Sequence, residues 1–459
     1  MPNHEIRNVL LLVDANPDLT VAAQMALVPG GSSPKPVIPP GLPRGFHYDS
    51  SFPPVPISEQ GLLQVTMSAA AGRAEGGLVV RGQVRTSELE EVFSRSQERL
   101  FSDPYIEAMP TTCAGNPPIG TAVDVARLLD TARLHGGGMD GNGVAIAIVD
   151  GGVNLAHLKA APRNLKPNFN SVYSWSASPR VTPGSAPVGH GTMCAYDALI
   201  AAPQATLLDI VTLVRMVAPG GPALAGLLSD AIRAFSQLMA MMIVPPGGGG
   251  RPFHSLVVSN SWGVYDPTWD FPVGHGNRYI DNPGHAFNRV VSALASTGAD
   301  IVFAAGNCGP ICPDGRCAGW VSGAPVITGA NSHPETLCAG GVDINRAVVG
   351  YSSHGPGSLT HDKPDLASYT HFLGSEAYGS GQPDGGTSAA CPVLAGAVAA
   401  LRSIYPHDAA NANRHTAKVC GWIKNNCGVN PSGALGWTPD LGFGIIDTVA
   451  FAPGIAIIT

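Results

Sequence analysis

The stretch "DGGTSAACPVLAGAVAALRSIYP", residues 384–406, sets a serine after two glycines and a threonine and then continues in small and apolar residues. Gly385 and Gly386 allow a backbone path closed to residues with a Cβ. Ala389, Ala390 and Pro392 suit a first helical turn, and the run from Val393 to Leu401 reads as a buried helix. Ser388 would then stand at a helix N-terminus, where unpaired N–H groups and the helix dipole favour negative charge. Alone, the stretch also fits a glycine turn capped by an ordinary serine, so its meaning depends on what surrounds it.

Upstream, from about Gly143, continuous apolar runs alternate with helical stretches: "VAIAIVD", "GTMCAYDALIAAP", "ATLLDIVTL", "AGLLSDAIRAFSQLMAMMI", "HSLVVSNSWG", "HAFNRVVSALAST", "DIVFAAGN" and "APVITGAN". Strands written as unbroken apolar runs are buried on both faces. Strand–helix–strand order with such runs predicts an α/β fold with a doubly wound parallel sheet, whose ligand sites gather outside the carboxyl ends of the strands.

The first 110 residues differ. A strand at Asn8–Val13 precedes a Pro/Gly/Ser-rich stretch, "VPGGSSPKPVIPPGLPRGFHYDSSFPPVP", read as a long irregular loop. "GLLQVTM", "GLVVRGQV", a helix opening at "TSELEEVFSRS" and "RLFSDPYIEAMP" follow, with Ser87 and Glu90 at capping-box spacing. This order predicts a small α+β domain on an antiparallel sheet over residues 1–110, a linker over 111–140 and the parallel-sheet domain over 141–459.

Composition narrows the function. A net charge of −7 without any basic run gives no footprint for nucleic acid. No apolar stretch approaches the ~20 residues of a spanning helix, and the N-terminus lacks a secretory pattern, so neither a membrane nor a secretory route is expected. Nine cysteines cannot all pair within one chain, and the redox compartment stays open, with a lean towards intracellular. Cys308, Cys312 and Cys317 lie close together in "NCGPICPDGRC" without a fourth ligand at zinc-finger spacing, which favours a loop disulfide or plain thiols over a metal. Cys194 and Cys391 fall among small residues and read as inert core.

Three further stretches belong with Ser388. "VAIAIVDGGVN" puts Asp150 at the carboxyl end of a buried strand, "GHGTMCA" puts His190 at a helix start, and "IVFAAGNCGP" puts Asn307 after another strand. Together they carry the logic of acyl transfer. A serine hydroxyl needs a neighbouring base, an imidazole needs a carboxylate to fix its tautomer, and a tetrahedral oxyanion needs donors already in place. Those donors would be the Ser388 N–H and the Asn307 amide. His275 and His285 read as surface residues outside this set.

The order Asp…His…Asn…Ser, in "DGG", "GHGT", "AAGN" and "GGTSAACP", resembles the subtilisin-like serine proteases over about Gly141–Asp447. "NSWG" stands where the family has its substrate-pairing strand, so the resemblance makes Ser261, Trp262 and Gly263 substrate-binding residues. Trp262 replaces a smaller apolar residue and equally suits a core position. Ala389, Val393 and Gly151 depart from common family residues, but none is a proton-transfer group. The resemblance implies a serine endopeptidase acting on protein or peptide substrates, with an N-terminal region that is an intramolecular inhibitor and chaperone. It also brings calcium, for which no loop shows clear ligand spacing; no cofactor or metal is assigned. A peptide-maturation protease or transamidase of the same fold, and a silent binding protein, are the competing readings. "GHGT" counts against an acid peptidase with a carboxylate in place of the histidine.

Overall fold

The computed structural model describes residues 6–451 apart from 28–35, 59–61, 63–76, 109–112, 114–116, 218–222, 244–249, 409, 412–413, 429 and 432. The chain divides into two compact units, one of Met1–Tyr105, Gly226–Arg251 and Asp266–Thr297 and one of Ile106–Ala225, Pro252–Tyr265 and Gly298–Thr459.

In the first unit, Ile6–Val13 pairs antiparallel with Leu78–Arg85 along its whole length and with Leu100–Ser102 on its other edge. The sheet is antiparallel, as the short α+β pattern predicts. A helix at Pro17–Leu27 buries Leu19, Ala22, Ala23 and Ala26. The capping box at Ser87 and Glu90 does not form. The chain makes a 3₁₀ turn over Thr86–Glu88 first, and the helix Leu89–Arg95 starts one turn later without a side-chain cap. "GLLQVTM" lies outside the described residues except for Leu62. Helices Leu228–Ile243 and Ala286–Ser296 belong to this unit and meet through Phe235 and Phe287, ring centroids 5.0 Å apart.

The second unit is built on an eight-stranded parallel sheet. Its main strands run Leu366–Tyr369, Leu337–Val342, Asp300–Ala304, Ser255–Asn260, Val144–Asp150 and Thr206–Val211, in that spatial order. Every residue of Val144–Asp150 and Ser255–Asn260 is buried, which the unbroken apolar runs required. Strand order reverses between Val144–Asp150 and Ser255–Asn260, so the crevice at their carboxyl ends is the switch point of the sheet. Among the described residues no helix is long and apolar enough to cross a membrane.

Two helices pack on this sheet, His190–Ala201 and Thr387–Arg402. A Cβ on Gly396 would fall 2.2 Å from the Ala198 carbonyl oxygen, so the two helices approach this closely only with glycine there. Gly386, at φ +72°, makes the turn into the second helix.

Candidate active site

Asp150 ends the first parallel strand at the switch point and is 1% exposed. His190 opens its helix, and its Nδ1 lies 2.9 and 2.8 Å from the two Asp150 carboxylate oxygens. A carboxylate only accepts, so Nδ1 carries a proton, and in the neutral ring the lone pair belongs to Nε2. That Nε2 is buried and has no hydrogen-bond partner among the described residues. The Asp150 Oδ1 also accepts from the Gly151 N–H at 2.6 Å, which fixes the carboxylate.

Ser388 is the second residue of its helix, within the first turn, where an N–H has no intrahelical acceptor. Its hydroxyl donates to the Ser261 carbonyl at 3.4 Å rather than to His190. The two residues are nonetheless neighbours: the Cys194 sulfur, one helical turn after His190, lies 3.9 Å from His190 Nδ1 and 3.7 Å from the Ser388 carbonyl oxygen. Cys194 is buried as core, yet it also sits 3.7 Å from Asp150, and burial followed by that charge pushes its thiol well up. Pro392 falls in the second helical turn, not the first. Lacking an N–H, it leaves the Ser388 carbonyl without its usual i+4 donor, and the Ser261 hydroxyl supplies one at 3.0 Å.

Asn307 follows the Asp300–Ala304 strand and is fully buried. Its Oδ1 accepts from the N–H of Thr387 at 2.9 Å and from the Thr387 hydroxyl at 3.0 Å, which settles which end of the amide is the donor. The Thr387 hydroxyl in turn accepts from the Gly306 N–H at 3.0 Å. Asp150, His190, Asn307, Ser388 and Ser261 therefore share one site.

A model of the subtilase family, peptidase S8, matches residues 141–443. The chain belongs to that family. It is 29% identical over 352 residues to a calcium-dependent protease of Nostoc sp., covering 68% of this chain and 46% of that protein. It is 25% identical over 351 residues to bacillopeptidase F of Bacillus subtilis, covering 70% of this chain and 22% of that one. The chain thus spans less than half the length of these relatives. Among solved structures, an S41 psychrophilic protease matches at a TM-score of 0.46 and 20% identity, covering 67% of this chain and 92% of that one.

For this subtilase the remaining sequence-predicted residues divide. The Trp262 side chain is fully buried, donates from its indole to the Val149 carbonyl at 3.0 Å and packs edge-on against Phe303, so it is core. Its backbone has the pairing role: Trp262 stands opposite Ala108 and Gly263 opposite Glu107 in an antiparallel ladder. Gly263 also borders a small cavity with Tyr265, Ala305, Gly306 and Thr328. His285 is not a surface residue. It is fully buried, accepts from the Phe287 N–H at 3.2 Å and lies 2.9 Å from the Ser102 carbonyl, and burial holds its imidazole down at about 4. His275 is half-buried and accepts from the Asn277 N–H.

Sequence reading missed a pair of carboxyls beside the site. Asp197, seven residues after His190 on the same helix, is fully buried, and neither of its oxygens has a conventional donor. Its neighbour is Asp384, which opens the serine turn and accepts from the Ser375 N–H and hydroxyl, both at 2.5 Å. Burial, then Asp384, pushes Asp197 well up, and burial raises Asp384 to about 6. Both shifts favour protonated carboxyls between the histidine helix and the serine turn. The available signal was a lone carboxylate among "HGTMCAYDALIA".

Proposed function

We propose that this chain is a serine endopeptidase using Ser388 as nucleophile, His190 as general base, Asp150 to orient the imidazole, and the Ser388 N–H and Asn307 amide as oxyanion donors. The observation that carries the reading is the buried Asp150–His190 pair, with its imidazole lone pair held in the crevice beside Ser388. Attack requires the Ser388 hydroxyl to turn from the Ser261 carbonyl towards His190 Nε2; such contacts often tighten only when substrate is bound. Nε2 takes the hydroxyl proton as Oγ bonds to the substrate carbonyl carbon. The C–N bond then breaks, and the same proton passes to the leaving amine. Water, deprotonated in the same way, releases the acyl group and restores the hydroxyl.

The same reading makes Tyr105–Ala108 a stand-in for substrate. The strand lies in a four-stranded sheet between Ala223–Leu227 and Trp262–Gly263, and the latter follows directly on Ser261, whose carbonyl holds the nucleophile's hydroxyl. An extended peptide added to such an edge is held by its backbone. The N-terminal region would thus be an intramolecular inhibitor and folding template, and the linker "TTCAGNPPIGTAVD" the place for processing.

Calcium is given no step. Among the described residues the one convergence of three ligand-type side chains is Asp150, His190 and Cys194, and its nitrogen and sulfur donors do not suit a hard cation that prefers six to eight oxygens. Disulfides join Cys113 to Cys312 and Cys308 to Cys317; such bonds favour an oxidising compartment over the intracellular one that the cysteine count suggested.

A fluorophosphonate probe tests the central claim. Wild type should be labelled at Ser388, and Ser388→Ala should lose labelling and about 10⁶ of kcat, the loss on removing the nucleophile in subtilisin. Labelling that persists in the variant overturns the assignment.

A further inference from the structure

A buried acidic side chain on the strand paired beside Ser261 meets an arginine on the loop that follows Asn307. Glu107 is 1% exposed, and the residue across the ladder, Gly263, has no side chain to cover it. Arg316 approaches its carboxylate. The guanidinium Nη1 donates to the Ala108 carbonyl at 3.1 Å and lies 3.6 Å from Glu107 Oε1. The rest of the fork is fixed from behind. Nε and Nη2 each sit 2.9 Å from Asp314, and the guanidinium carbon lies 3.8 Å over the Tyr265 ring. The Cys308–Cys317 disulfide closes the loop one residue beyond Arg316.

This arrangement is a reader rather than a chance ion pair. Asp314 and Tyr265 preorganise the cation, so little side-chain freedom is lost when a strand arrives. One nitrogen then senses the strand twice, through a backbone carbonyl that every peptide offers and through a side chain that few do. A carboxylate buried here without the arginine would be costly, and a lysine opposite it would be repelled.

We propose that Arg316 is a specificity-determining residue that selects peptides with Glu or Asp at the position Glu107 occupies, followed by a small residue at that of Ala108. The inference rests on the reading of this strand as a stand-in for substrate.

Two arms test it. In the full chain carrying Ser388→Ala, which cannot process itself, hydrogen exchange at Ile106–Ala108 should accelerate at least tenfold in Glu107→Arg and in Arg316→Glu. Protection should return when both are combined, because close charge pairs at interfaces couple by amounts worth a factor of about ten or more. Failure of the double variant to regain protection over the singles overturns the pairing. Should Arg316→Glu not fold, Arg316→Gln with Glu107→Gln gives the same cycle. In the second arm the wild-type protein digests a peptide library. Enrichment of Glu and Asp at one fixed position before the cut, with kcat/KM at least about tenfold above the Lys peptide, supports the inference. Cleavage indifferent to charge there overturns it and leaves the peptidase reading standing. No cleavage together with no fluorophosphonate labelling overturns the peptidase reading and this inference with it.

Discussion

The Asp384–Ser388 turn is held by buried hydrogen bonds and flanked by the buried Asp197 carboxyl, whereas the Asn307–Cys317 loop is held by disulfides and by an arginine stacked on Tyr265. Both deliver groups to one site, and Asn307 and Thr387 bond directly across them. The turn depends on groups that titrate and on glycine backbone. The loop depends on covalent links that resist pH and yield to reductant. Atoms that must stay in register during a reaction can be fixed by either means, but each fails under a different insult.

The sharpest way to break the comparison is at the bond joining its halves. Asn307→Ala should lower kcat by about 10²–10³, the loss on removing one oxyanion donor in subtilisin, and leave KM nearly unchanged. A loss as large as that of Ser388→Ala, in a folded protein, would instead make Asn307 part of the scaffold. On the loop side, replacing Cys308 and Cys317 together by serine should lower unfolding stability by about 2–4 kcal/mol in urea titration while Ser388 still reacts with fluorophosphonate. Loss of labelling there would mean the turn leans on the loop's covalent frame.

On the turn side, Asp197→Ala removes a buried carboxyl beside Asp384 and should cost about 1–3 kcal/mol. Asp197→Asn keeps an N–H donor and should cost clearly less; equal costs would mean that no proton is shared between the two carboxyls. The smallest effect is in pH. Asp384 is raised from 3.8 to about 6, so the folded state holds a proton that the unfolded chain has released. Its contribution is complete below about pH 3.8 and is lost as pH rises through about 6, at no more than ~1.4 kcal/mol per unit. Urea midpoints across that window should fall in wild type and fall less in Asp197→Asn.

A contrast between two histidines shows where sequence reading reached its limit. His190, between glycines at a helix start, was legible because its chemistry and its neighbours point the same way. His285, in a Pro/Gly-rich stretch, looked like a surface residue and is fully buried as the cap of a helix, since its two ring nitrogens satisfy Phe287 N–H and the Ser102 carbonyl, partners far apart in the chain. Trp262 divides similarly: its backbone pairing was legible from "NSWG", and the burial of its indole was not.

By itself the sequence determined the parallel sheet, through strands apolar on both faces, and the residues able to perform acyl transfer, through glycine-flanked polar groups at strand ends. Both signals are local, because periodicity and turn chemistry act over a few residues. The tertiary structure alone decided that Asp197 is buried beside Asp384, which cysteines pair, and that Arg316 meets Glu107. Each of these depends on distances between segments far apart in the chain, which no local pattern encodes.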